Sequence, residues 1–314
     1  MTVSAPPQPE QKVAAKRWRL PKLSLVIALI CLVGVGVLLY PSAAAWFSSA
    51  SQTQRIGDYS HDLNAVGPVG REKALAEAHA YNATLTGGAL IAANRRIPVA
   101  EAASGSAKTK ASDFDYNQLL RADDYGLMAR IKIPSIGVDL PIYHGTSDSV
   151  LAEGIGHLEG TALPVGGKGT HAVLAGHRGL ATSTLFTNLN EVKVGDSFSI
   201  IVFGETLTYR VISTKVVDPD ETKSLDPVPG KDLVTLVTCT PIGINSQRIL
   251  VTGERVTPTP EKDVKDASKL PNVPGFPWWA VWLGLAVIVL ALYVWLSGRP
   301  GRPLPRRHPR RPAA

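Results

Sequence analysis

Cysteine is scarce in this sequence: only Cys31 and Cys239 occur among its 314 residues. Cys31 lies in a continuous apolar run of the kind that crosses a membrane, where it cannot readily form a disulfide with an exported domain. We therefore expect Cys239 to be a free thiol. The alternative to a reactive thiol is a buried and inert cysteine, which is the usual state of an unpaired one.

Motifs for metals and phosphates are also lacking. The sequence has no CxxC or HExxH spacing, and residues 166–170 (Gly-Gly-Lys-Gly-Thr) lack the full spacing of a P-loop. We therefore predict no metal site and no cofactor. No internal repeat is visible.

Charge is absent from two long stretches. Residues 23–40 form an apolar run of 18 residues and residues 278–296 one of 19, close to the ~20 residues that cross a bilayer as a helix. Trp278, Trp279, Trp282 and Trp295 lie near the ends of the second run, as interface anchors do. The alternative for either run is a buried core helix. A second alternative for the first run is a cleaved signal peptide, since the small residues 42–45 resemble a cleavage site. The run is, however, longer than the ~7–15 apolar residues usual in signal peptides. An uncleaved anchor is favoured.

Basic residues are concentrated at the two ends. Residues 1–22 carry a net charge of +4 and residues 298–314 a net charge of +6, which leaves −3 for the rest of a chain whose total is +7. Because basic segments stay on the cytoplasmic side, both ends are predicted to be cytoplasmic and the intervening domain extracellular. A nucleic-acid-binding function is disfavoured, since these tails lack interleaved aromatic residues and a fold.

The pattern between the spans changes from helical to β. Apolar residues at helical spacing predict a helix over 71–85. Short β-branched runs separated by Gly and Pro then predict seven or so strands in an antiparallel barrel or sandwich, at residues 130–133, 138–142, 171–175, 197–203, 206–217, 233–239 and 249–256.

These patterns divide the chain into seven segments. They are a basic tail (1–22), a transmembrane helix (23–40), a helical segment with a loop (41–125), a β domain (126–257), a stiff, extended Pro-containing linker (258–276), a second transmembrane helix (277–297) and a basic tail (298–314).

Cys239 lies at the predicted end of a strand. Alternation places Thr235, Val237 and Cys239 on one face, and Pro241 favours ending the strand there. Arg248 begins the next predicted strand. If the two strands are neighbours, its guanidinium can stabilise a thiolate and a carbonyl oxyanion; the alternative is an ordinary surface charge.

A histidine is the remaining requirement for acid–base chemistry at a thiol. His177 follows a predicted strand and lies between Gly176 and the segment Arg178-Gly179. The spacing does not separate it from its rivals, which are His61, His79, His144, His157 and His171.

Three motifs closely resemble the catalytic motifs of sortases. They are His171-Ala-Val-Leu-Ala-Gly-His177-Arg-Gly-Leu180, Thr235-Leu-Val-Thr-Cys239-Thr-Pro241 and Asn245-Ser-Gln-Arg248-Ile-Leu-Val-Thr-Gly-Glu-Arg255. Further segments, at 133–134, 140–146, 156–161 and 163–167, look like class C, the pilin-polymerising branch. The resemblance implies a Gram-positive, actinobacterial source. The similarity covers about residues 126–256.

The resemblance implies a mainly β fold: an eight-stranded sortase barrel with short N-terminal helices and a transmembrane helix at each end. It implies Cys239 as nucleophile, His177 as general acid and base, and Arg248 as the group that stabilises the oxyanion. The implied enzyme is a membrane-anchored cysteine transpeptidase that cleaves an LPxTG-like sorting signal between Thr and Gly and transfers the acyl group to a pilin lysine. The implied partners are pilins or surface proteins that bear such signals. The alternatives are attachment of proteins to peptidoglycan, or a non-catalytic membrane-anchored pilus scaffold.

Two positions depart from the class C pattern. Members usually carry a lid over the thiol with an Asp-Pro-aromatic motif, whereas the corresponding segment here lacks the proline. Asp113, Phe114 and Tyr116 are therefore candidate lid residues in a looser lid, and the alternative is an ordinary loop. Ile242 replaces a tyrosine that often follows Thr-Pro, which predicts an altered groove for the sorting signal.

Overall fold

The computed structural model describes residues 18–85, 114–123, 126–271 and 274–299. The chain divides into two compact units, Met1–Tyr40 with Pro277–Ala314 and Pro41–Phe276.

The first unit contains the two apolar runs. Helix α1 spans Lys22–Thr84, and its N-terminal part includes the first run; helix α4 spans Trp278–Ser297 and includes the second. Both are long and apolar enough to cross a membrane. The helical conformation continues beyond the first apolar run, where the sequence indicates no helix before residue 71, and it is interrupted at Gly67, whose φ is 71° and which precedes Pro68. The predicted helix at 71–85 is the part of α1 that follows this break.

The second unit is built around a closed barrel of eight strands, as expected for its fold class. The strands are β1 Leu127–Ile133, β2 Val138–His144, β3 Ile155–His157, β4 Thr170–Ala175, β5 Ser197–Val202, β6 Glu205–Val217, β7 Asp232–Thr240 and β8 Gln247–Arg255. Their order around the barrel is β1-β2-β3-β4-β7-β8-β6-β5. The short β3 had no visible pattern in the sequence, because three residues are too few to show alternation.

The barrel is not wholly antiparallel. β2 pairs with β3, and β4 with β7, in parallel, while the other neighbours are antiparallel. A parallel pair places corresponding strand ends at the same edge of the barrel, which matters for the site below.

The core forms two apolar clusters that separate along β7. Val234 and Leu236 belong to the larger one. Val237 and Cys239 belong to the smaller one, with Val173, Leu225 and Leu151 of a short helix, α2 (Asp148–Glu153). The split confirms the predicted alternation for Val237 and Cys239, because successive side chains of a strand point to opposite faces.

The prediction of an extended linker at 258–276 is wrong over its central part. Helix α3 spans Glu261–Ala267 and belongs to the barrel unit. The buried side chain of Arg130 explains the docking: its Nη1 donates to the Ala267 carbonyl at 3.1 Å and its Nη2 to the Lys269 carbonyl at 2.8 Å. The first bond satisfies the last carbonyl of the helix, which has no partner within it, and the second holds the segment that follows.

Candidate active site

His177 and Cys239 lie just beyond equivalent points of two parallel strands. Ala175 of β4 is the register partner of Val237 of β7, and each candidate follows its partner by two residues. The pairing continues past the end of β4: the Gly176 N–H donates to the Val237 carbonyl at 3.0 Å, and Thr238 Oγ1 donates to the Gly176 carbonyl at 2.7 Å. The parallel register thus brings the two residues to the same edge of the barrel.

Arg248 reaches the same edge from the other side of β7. It is the register partner of Cys239 in the antiparallel β7–β8 pair. Residues directly opposite each other place their side chains on the same face, with Cβ atoms roughly 5 Å apart. Arg248 Nη1 also donates to the Asn245 carbonyl at 2.8 Å and the Gln247 carbonyl at 3.0 Å, which fixes the guanidinium near the turn between the strands.

The thiol of Cys239 is sheltered, with 6% of the residue exposed. Burial raises the pKa of Cys239, since a thiolate is poorly stabilised away from water, and the positive charge of Arg248 opposes that rise. Within the part of the chain that the structure describes, the charge that favours the thiolate is therefore that of Arg248, the register partner.

The imidazole of His177 is half-buried. Burial lowers the pKa of His177, and the carboxylate of Asp148 at the start of α2 opposes the fall. Among the residues that the structure describes, no hydrogen bond engages the ring nitrogens of His177, so the ring is available to exchange a proton. Sequence reasoning missed Asp148, because only the packing of α2 brings it near the histidine.

In three rival histidines, both ring nitrogens lie within hydrogen-bond distance of structural partners. His144 contacts the carbonyls of Gly126 and Leu119, and His171 contacts the Asp226 carbonyl and Thr235 Oγ1. His157, whose pKa burial lowers to about 4, bonds Tyr116 and the Ala162 carbonyl. The other two, His61 and His79, lie in α1. The geometry therefore favours His177 among the six, although the assignment of its role remains a proposal.

Two of the three candidate lid residues pack elsewhere in the described structure. The ring of Phe114 contacts Tyr81 edge-to-face at 6.1 Å, against the larger cluster. Tyr116 is buried, and its hydroxyl lies 2.9 Å from His157 Nδ1 and accepts from the Gly145 N–H at 3.0 Å. Asp113 lies outside the described residues. A lid formed by residues 113–116 stays a prediction, whereas Tyr116 has a packing role in the described structure.

Ile242 lies in the turn that follows β7 at this edge of the barrel and is 51% exposed. It packs on Gly179, where an added Cβ would come within 2.5 Å of the isoleucine side chain and where φ is +74°. Both the close approach and the left-handed backbone favour glycine. The segment after His177 thus lies directly against the segment after Cys239.

No group of three or more His, Cys, Asp and Glu side chains is placed to hold a metal ion within the described ranges. The chemistry that this edge offers is that of a thiol with a histidine and an arginine beside it.

Comparison with known proteins identifies the same part of the chain. The family described as "Sortase domain" matches residues 131–256. The crystal structure of sortase C-1 from Actinomyces oris is 49% identical, with a TM-score of 0.53, over 60% of this chain and 99% of that one. Sortase C1 from Streptococcus agalactiae is 40% identical, with a TM-score of 0.58, over 66% of this chain and 100% of that one.

Further similarities extend beyond sortases named C. Sortase A from Corynebacterium diphtheriae is 41% identical, with a TM-score of 0.55, over 67% of this chain and 95% of that one. Sortase D of Bacillus subtilis is 32% identical over 130 residues, which cover 40% of this chain and 63% of that protein. The matched part is thus less than two thirds of that curated relative's length.

Proposed function

This chain belongs to the sortase family, and we propose that it is a cysteine transpeptidase that cleaves an LPxTG-like sorting signal between Thr and Gly and joins the acyl group to a pilin lysine. One observation carries the proposal. The parallel β4–β7 register and the antiparallel β7–β8 register bring His177, Cys239 and Arg248 to one edge of the barrel. The similarity to sortases named C supports the choice of a pilin lysine as acceptor.

In the first half-reaction, the Cys239 thiolate attacks the carbonyl carbon of the signal's threonine. The carbonyl oxygen becomes an oxyanion, which the guanidinium of Arg248 stabilises. When the C–N bond breaks, protonated His177 donates a proton to the departing glycine amine. The products are a thioester on Cys239, a neutral His177 and a free C-terminal peptide.

In the second half-reaction, a lysine amine of the next subunit attacks the thioester. Neutral His177 accepts the proton that the amine loses, and Arg248 again stabilises the oxyanion. The C–S bond breaks, Cys239 returns as a thiolate, and an isopeptide bond joins the two subunits. Proton and thiolate are then restored for the next cycle.

The test is covalent trapping. Full-length protein in detergent is incubated with a sorting-signal peptide, and the mass of the protein is measured. A thioacyl adduct is expected on the wild type and not on Cys239→Ala, with Cys31→Ala as the matched control that retains it. If neither the wild type nor Cys31→Ala forms an adduct, the transpeptidase proposal fails and a non-catalytic scaffold remains.

The acceptor is tested separately. The preformed thioacyl enzyme is mixed with a pilin-lysine peptide or a cell-wall peptide. Faster release by the pilin lysine supports pilus assembly, whereas release by the cell-wall amine alone would assign the enzyme to peptidoglycan attachment instead.

We further propose that α1 and α4 anchor the protein in the cell membrane with both ends cytoplasmic and the barrel outside. The supporting observations are the two long apolar helices and the basic residues beyond them. Protease added to intact cells should digest the barrel and spare tags on both termini. Digestion of either tag would refute this topology.

A further inference from the structure

Arg178 follows His177 directly and donates three hydrogen bonds to other residues at this edge of the barrel. Its Nη1 donates to Thr240 Oγ1 at 2.8 Å, its Nη2 to Asn190 Oδ1 at 2.8 Å and its Nε to the Thr187 carbonyl at 3.1 Å. A planar guanidinium can hold three acceptors in one fixed arrangement, which lysine cannot.

The partners of Arg178 lie on both sides of the candidate pair. Thr240 is the residue after Cys239 and the last residue of β7. Thr187 belongs to the segment that returns to His177: Thr187 Oγ1 accepts from the Gly179 N–H at 3.1 Å, and the Phe186 N–H donates to the His177 carbonyl at 3.1 Å. One side chain therefore joins the strand end that carries the thiol to the loop that carries the histidine.

Among the described residues, the contacts of Arg178 are hydrogen bonds and not ion pairs. The charge that opposes the raised pKa of Cys239 is that of Arg248, and the charge that opposes the lowered pKa of His177 is that of Asp148. The three acceptors of Arg178 are neutral oxygens. These contacts indicate that Arg178 acts by fixing the relative positions of the segments that it joins.

We propose that Arg178 is a positioning residue, which sets the distance and orientation of His177 relative to Cys239 by tying the His177 loop to Thr240. This inference rests on the proposed function, since it assigns His177 and Cys239 to one reaction. A displacement of about 1 Å between reacting groups can reduce the rate roughly 100-fold, so the bond network has a measurable consequence.

The test uses full-length protein in detergent with the variants Arg178→Met, Arg178→Lys, Thr240→Val and the Arg178→Met/Thr240→Val double. Arg178→Met should lower kcat for a fluorogenic sorting peptide about 10- to 100-fold, with KM within about twofold because no substrate contact is removed. Arg178→Lys should recover part of the loss, since one of the three bonds can re-form. Arg210→Met, at an exposed position of β6, is the matched control and should match the wild type.

Two further measurements separate positioning from a general loss of structure. Thr240→Val should lower kcat by itself and add little in the Arg178→Met background, because both changes break the same link. Alkylation of Cys239 above its pKa should be faster in Arg178→Met, as the strand end loosens, while the melting temperature stays close to that of the wild type.

The outcomes decide between the two proposals. Unchanged kcat and unchanged alkylation in Arg178→Met would overturn the positioning role. A fall in kcat accompanied by a large fall in the melting temperature would also overturn it, because it would indicate a general loss of structure. If the wild type has no transpeptidase activity, the proposed function fails, and the alkylation rates still show whether Arg178 orders the end of β7.

Discussion

Cys239 and Arg248 are direct register partners across the antiparallel β7–β8 pair. They are nine positions apart in the sequence, and the turn between the strands returns the chain so that their side chains share a face. The thiol therefore has a guanidinium at a place that strand pairing determines and that does not depend on a flexible loop. Several predictions concern this edge of the barrel.

Removal of the Arg248 charge should weaken the thiolate and the oxyanion together. In Arg248→Met we expect a higher pKa for Cys239, because the one charge that opposes its rise is gone, and a loss of turnover of about 10²- to 10³-fold. Arg248→Lys should keep the pKa of Cys239 close to that of the wild type but lose turnover, since it keeps the charge and loses the planar fork. The pH dependence of Cys239 alkylation measures the pKa, and the rate of peptide cleavage measures the turnover, with Arg210→Met as the control for both. An unaltered alkylation profile in Arg248→Met would contradict the electrostatic part.

The acid limb of the activity profile should report His177. Burial lowers its pKa below the usual value of 6.5 and Asp148 opposes the fall, so Asp148→Asn should lower that pKa further. A smaller fraction of His177 is then protonated near neutral pH. The acid limb should therefore move to lower pH, and the rate of glycine release should decrease. The profile of kcat/KM from about pH 5 to about pH 8 shows the shift. Glu205→Gln, at the first residue of β6, is the control and should leave the acid limb at the same pH as in the wild type. A shift to higher pH in Asp148→Asn would reverse the assigned sign and refute the coupling.

The docking of α3 should depend on the buried side chain of Arg130, which an ion pair holds in place. Arg130 is 4% exposed and binds Asp139 through Nε at 2.6 Å and Nη2 at 2.7 Å. Arg130→Met leaves the carboxylate with Lys132 at 3.5 Å and strips the Ala267 and Lys269 carbonyls of their donor. We expect a loss of about 3 kcal/mol in the free energy of unfolding, measured by denaturant titration. Lys265→Ala breaks the exposed Lys265–Glu261 pair and should change stability by less than about 0.5 kcal/mol. Equal effects of the two variants would show that Arg130 contributes no more to stability than an exposed ion pair, which would contradict its role in holding α3.

The lid hypothesis for residues 113–116 predicts that the double variant Asp113→Ala/Phe114→Ala speeds modification of Cys239 by a thiol reagent. Tyr116→Phe is the control: it keeps the buried ring and removes only the hydroxyl bonds to His157 and Gly145, so thiol access should not change. Unchanged kinetics in the double variant would show that these residues do not guard the thiol.

Local features of the chain sufficed for several elements. The two apolar runs form helices because an uncharged stretch of that length needs no distant partner to be helical. The alternation before Cys239 indicated its face of β7 for the same reason: a strand's period is a property of its own residues. Arg248 was a sound candidate because a short turn separates it from Cys239.

Tertiary structure alone decided the rest. The β4–β7 pairing that brings His177 to Cys239 joins segments far apart in the chain and runs parallel, an arrangement absent from the sequence prediction. Three of the competing histidines differ from His177 by contacts with distant residues, such as the bond between His157 and Tyr116. Residues 261–267 look like part of a linker until Arg130 supplies their partners. The sequence by itself determined which side chains had the chemistry of a thiol transpeptidase. The closure of the barrel determined which of them meet, because that depends on contacts that no local pattern encodes.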